Sequence, residues 1–93
     1  MQPTLVAPGT RVDPSWTLAG SPAEAARLVA TGAVVVVELP ADLDPALAAA
    51  AVYRWHGTQI FITHHHDEVR QAIDMTDSLA GRRPPALTRR GLA

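Results

Sequence analysis

His64-His65-His66-Asp67-Glu68 is the densest run of chemically competent side chains in the sequence. Neutral imidazoles bind divalent metals and exchange protons near neutral pH. On an extended chain His64 and His66 share one face while His65 turns away. Two imidazoles make a weak metal site unless a carboxylate or a second chain adds ligands. Asp67 is the nearest such carboxylate, so His64, His66 and Asp67 are the candidate ligands for a divalent cation. The plainer reading is a polar strand exit at the surface. Phe61-Ile62-Thr63 before the run reads as a strand, and Val69 to Met75 after it reads as a helix. At such a junction the strand's carboxyl end faces ligands, and the helix aims free N–H groups at the same spot. Asp67 and Glu68 already answer that partial positive charge and would repel an anion. A self-capped helix is therefore favoured over an anion site.

Glu38 closes a run of valines and is the one acid in an expected strand. With His64 and His66 it forms the candidate small-molecule site, although a solvated strand exit explains it equally well. No nucleophile–base pair stands out, which argues against an enzyme. Tyr53 and Trp55 read as core and rim residues rather than a stacking platform. Arg70 and Asp74 have the spacing of an ordinary helix-surface ion pair.

Two strands and three helices must position these residues. Ser21-Pro22-Ala23-Glu24 has the residues of a capping box with Pro at the first helical position, and Gly32 ends that helix. Ala33 to Leu39 is β-branched and apolar on both faces, as a central parallel strand would be. Asp44-Pro45 starts a second helix whose apolar stripe is expected at Leu47, Ala48, Ala51, Val52 and Trp55, with Gly57 as terminator. Thr58 to Thr63 is the second strand. A third helix follows, with Val69, Ala72, Ile73, Thr76 and Ala80 inward and Gly81 at its end. The order over residues 21–81 is α-β-α-β-α, which implies a small α/β domain with a parallel sheet and right-handed crossovers. Residues 1–20, rich in Pro and Gly, read as an irregular arm with a short strand near Thr10–Val12. Residues 82–93 read as a basic, Pro-containing tail. Two strands make a poor sheet alone, so the arm or a second copy must supply more.

The chain has 93 residues and 47% apolar content, yet seventeen residues are Ala and four are aromatic. Such a core buries little area per residue, so homo-oligomerisation is expected. A net charge of −1 gives no pull toward nucleic acid or anionic membrane. The four arginines of the tail lack aromatic interleaving and read as solvated. There is no Cys, which excludes disulfides and thiolate metal sites. No signal peptide or membrane span is apparent, so the expected location is the cytoplasm.

From about Asp42 to Ala93 the chain resembles the carboxyl-terminal end of dihydropteroate synthases. These are (β/α)8 (TIM) barrels that join a pterin pyrophosphate to p-aminobenzoate. Ile62-Thr63-His64-His65-His66 stands where the family carries Arg-Val-His-Asp-Val. Val69-Arg70-Gln71-Ala72-Ile73-Asp74-Met75 matches its following helix. The resemblance implies a barrel fragment with His64 as the one functional position retained. Ile62 replaces the family's arginine, His65 replaces its aspartate, and the chain has no Lys. A full barrel needs roughly 250 residues. The resemblance therefore implies a shortened relative without synthase activity, acting as a self-associating accessory or binding protein near folate and pterin metabolism. Its expected partners are another copy, a small molecule or a full-length synthase. The alternatives are a small divalent-metal protein built on the His64–His66 cluster and a residual enzyme with another substrate.

Overall fold

The computed structural model describes residues 2–82. The elements are β1 (Thr4–Val6), β2 (Trp16–Leu18), α1 (Pro22–Ala30), β3 (Val34–Glu38), α2 (Leu43–Trp55), β4 (Ile60–Ile62) and α3 (His66–Leu79). The strands form one sheet in the order β1-β4-β3-β2, and every pairing is parallel. The α-β-α-β-α run is present as expected. Residues 1–20 differ from the irregular arm expected there, because they supply both edge strands. Thr4–Val6 lies beside Ile60–Ile62, and Trp16–Leu18 lies beside Val34–Val36. No strand forms at Thr10–Val12, which belongs to the connector between β1 and β2. Three-residue strands are too short to show a period, and distant partners select them. Of the basic tail, only Arg82 falls among the described residues.

The order of the strands assigns the faces. The chain steps from β2 to β3 to β4 through α1 and α2, and right-handed crossovers put both helices on one side. The β1-to-β2 return runs the opposite way across the sheet. The same handedness puts residues 7–15 on the other side. The packing agrees for the helices. Val37 and Phe61 meet Ala46 and Ala50 of α2 and Val69 and Ile73 of α3. Val35 meets Ala25 of α1. Val36, Ile60 and Ile62 instead cluster with Val6, Trp16 and Val34, all strand residues. Val36 and Ile60 are nonetheless 0% and 2% exposed, so both faces of the central strands are covered, as parallel strands require.

Local chemistry sets the ends of α1. Ser21 Oγ accepts from Glu24 N at 3.1 Å. The returning carboxylate of Glu24 reaches Gly20 N at 2.6 Å, one residue before the cap. The second helix departs from expectation at both its start and its face. It begins at Leu43 after Asp42, so Asp44 lies in the first turn rather than at the cap. Ala46, Ala50 and Arg54 are its buried residues. Ala48, Val52 and Trp55, expected inside, are exposed. Alanines occur all round this helix, so apolarity alone does not mark the inner face. The contact with the sheet and α3 takes Ala46, Ala50 and Arg54, half-buries Leu47 and Tyr53, and leaves Val52 and Trp55 outside.

Candidate binding corner at the carboxyl end of the sheet

The four strands end together near Val6, Leu18, Glu38 and Ile62. Glu38 is exposed and lies opposite Ile62 in the register. Leu39 N donates to Ile62 O at 2.9 Å, and Thr63 N donates to Val6 O at 3.0 Å. These bonds extend the ladder one residue past β3 and β4. The chain leaves β1 toward the helix-free face and leaves β4 toward the helix layer. Right-handed crossovers therefore send the connections after β1 and β4 apart just beyond the Thr63–Val6 bond. In open parallel sheets such a switch point, at the carboxyl ends of the strands, is where ligands bind. His64 lies on this edge, two residues beyond Ile62.

The histidine triplet does not continue the strand. Thr63 is buried, and its Oγ1 accepts from His65 N at 2.9 Å. His65 is the N-cap of α3 with φ −118° and ψ 66°, and His66 is already helical. The alternation expected to set His64 and His66 on one face therefore stops before it reaches them. The imidazoles in ring contact are His64 and His65, with centroids 6.4 Å apart in an edge-on arrangement. His65 Nε2 lies 2.7 Å from Ala41 O. As the N–H donor, it ties the loop after β4 to the loop after β3. His66 Nδ1 and Asp67 Oδ1 are 3.5 Å apart, with side chains 62% and 96% exposed. Among the described residues, no group of three or more His, Asp or Glu is arranged to hold a metal ion. Three roles are thus divided within the triplet. His64 is open to solvent, His65 braces two loops, and His66 opens α3.

A second polar cluster lies at the far end of α2 and α3, and its pairing is not apparent from sequence spacing. Arg54 Nε donates to Asp77 Oδ1 at 2.7 Å, and Nη2 donates to Oδ2 at 3.2 Å. Arg54 Nη1 donates to Thr58 O at 2.9 Å. Arg82 Nη1 donates to Asp77 Oδ1 at 3.2 Å and to Arg54 O at 2.8 Å, while Nη2 donates to Trp55 O at 2.6 Å. Arg54 and Asp77 are buried. Burial pushes the Asp77 carboxyl up, but the hydrogen bonds and charges of Arg54 and Arg82 outweigh it. The carboxyl is held below its ordinary value. The signal for this cluster is helical spacing. Arg54 continues the series Ala46, Ala50, and Asp77 continues Val69, Ile73.

The outward side of α2 and α3 carries a groove of about 260 Å³ lined by Ala51, Val52, Trp55, Thr76 and Leu79. Val52, Trp55, Met75 and Leu79 are 46%, 53%, 67% and 75% exposed. No helix among the described residues is long and apolar enough to cross a membrane. Comparison of the chain with protein-family models, with curated proteins and with solved structures returned no match.

Proposed function

We propose that this chain is a non-catalytic, self-associating accessory protein of the cytosol. The observation that supports this most directly is the apolar groove on the outside of the helix layer. The outer side of a helix that covers a sheet is ordinarily polar, whereas Val52, Trp55, Met75 and Leu79 stand outward here. A contiguous apolar surface of this kind marks an interaction site. The resemblance of Ile62–Met75 to dihydropteroate synthases adds a setting near pterin chemistry. The sequential run β2-β3-β4 suits a barrel-derived unit, with β1 added beyond β4. In this reading a small ligand sits at the β1/β4 parting, with His64 as its contact.

Two measurements test the proposal. Sedimentation across the micromolar range should show mass rising with concentration, and a concentration-independent monomer would reject self-association. Calorimetric titration with a pterin should give heat that His64→Ala abolishes. Equal heat in the variant would remove His64 from the ligand site. A mixture with a full-length synthase, run in the same sedimentation experiment, distinguishes self-association from capture by that enzyme.

A further inference from the structure

We infer that the α2–α3 groove is the contact between two copies of this chain, joined about a two-fold axis. This rests on the self-associating reading above and assigns it a surface. In a two-fold interface the same patch meets itself, so each copy must offer both a projection and a recess. This face has both. Met75 and Leu79, one turn apart on α3, form a ridge 67% and 75% exposed. Between α3 and α2 lies the groove lined by Ala51, Val52, Trp55, Thr76 and Leu79, so Leu79 is both the groove's α3 wall and part of the ridge. Ridges four residues apart are the spacing that packs into grooves between helix side chains. Ala48 and Ala51 on α2 are small enough to let a partner helix approach closely.

Charge favours a second copy over a charged partner. None of Ala51, Val52, Trp55, Thr76 and Leu79 is ionisable, so a charged partner would bury its charges here unpaired. With a net charge of −1, two copies meet without long-range repulsion. The area then sets the strength. The uncovered surface of Val52, Trp55, Met75 and Leu79 is on the order of 400 Å². Two such faces remove about 800 Å², below the roughly 1,200–2,000 Å² of a stable interface. The dimer is therefore a weak, exchanging one.

The test is sedimentation of the full chain across the micromolar to low-millimolar range. It is run beside Leu79→Glu, Trp55→Glu, the control Leu18→Glu and a chain ending at Arg82. Leu18 is 62% exposed on an edge strand away from the groove. Circular dichroism checks that each variant keeps its fold. The expected result is a dimer for the full chain and for Leu18→Glu, weakened at least tenfold by Leu79→Glu and by Trp55→Glu. A dimer that survives both groove variants but is lost in Leu18→Glu places the contact elsewhere. That result overturns this inference and leaves self-association standing. A full chain that stays monomeric throughout rejects self-association and this contact with it. Tighter dimerisation of the chain ending at Arg82 would make residues 83–93 a competitor for the groove, and would overturn the second copy as its resident in the full chain.

Discussion

Asp77 stands between two guanidinium groups, and its neighbours determine what each substitution costs. Replacing it with Ala leaves Arg54 buried with only Thr58 O as a partner. Breaking a buried pair from one side costs about 3–5 kcal/mol. Arg54→Met leaves Asp77 with Arg82 at 3.2 Å and should cost less. Urea unfolding of both variants checks that order. The carboxyl's lowered pKa also fixes a pH dependence. A group depressed on folding stabilises above its unfolded value of about 3.9 and loses that contribution as pH falls through the folded value. Stability should therefore drop below about pH 4, and Asp77→Asn should flatten that part of the profile. An unchanged acid limb in the variant would assign the loss to other carboxylates. Thr58 presents the reverse case. Its backbone is used, but its buried Oγ1 has no hydrogen-bond partner. Thr58→Val keeps the shape and removes the orphaned hydroxyl, so it should raise stability by about 1 kcal/mol. A loss on thermal or urea unfolding would mean that the hydroxyl is bonded in solution.

The helices meet through their ends as well as their faces. Gly57 closes α2 at φ +97°, and a Cβ there would lie 3.0 Å from Val29 Cγ1 of α1. Gly32 closes α1 at φ +87°, with nothing within 4 Å of the same atom. Both Ala variants carry the backbone strain of a left-handed residue, about 1–3 kcal/mol. Only Gly57→Ala adds the contact with Val29. Gly57→Ala should therefore be the more destabilising by thermal unfolding. Equal losses would mean that α1 shifts freely against α2. What could be read ahead at this scale follows from how local each signal is. The Val34–Glu38 strand, the Ser21 start of α1 and the Val69/Ile73/Thr76 face of α3 rest on neighbouring residues, and all appear as expected. The inner face of α2 does not, because its alanines supply no polarity contrast and its one buried cation depends on Asp77, 23 residues away. The edge strands share this difficulty, since Thr4–Val6 is selected by Ile60–Ile62. At the corner the strand's end was legible near Thr63. The triplet's geometry was not, because α3 begins at His66 and cuts the strand alternation short.

At the scale of the molecule, the described residues form a four-strand open sheet with one helix layer, and stability should be graded across the strands. β3 and β4 are central, and each is paired on both sides. β1 and β2 are edges of three residues each. Amides open in cooperative units whose free energies rise toward the packed centre. Hydrogen exchange followed by NMR should therefore give the slowest amides in Val35–Val37 and Phe61–Ile62, and faster ones in Thr4–Val6 and Trp16–Leu18. Uniform protection across the four strands would mean that the sheet opens only as a whole. The pairing of Thr4 with Ile60 also bears on synthesis. The ribosome makes β1 before the other three strands, and its sheet partner β4 last of the four. At about 5–20 residues per second, that interval is roughly 3–11 s. Throughout it, Leu5 and Val6 have no strand to join. A nascent chain stalled before Ile60 would hold β2 and β3 as its only matched strands. The apolar β1 segment is then open to chaperones or to neighbouring chains until β4 is made.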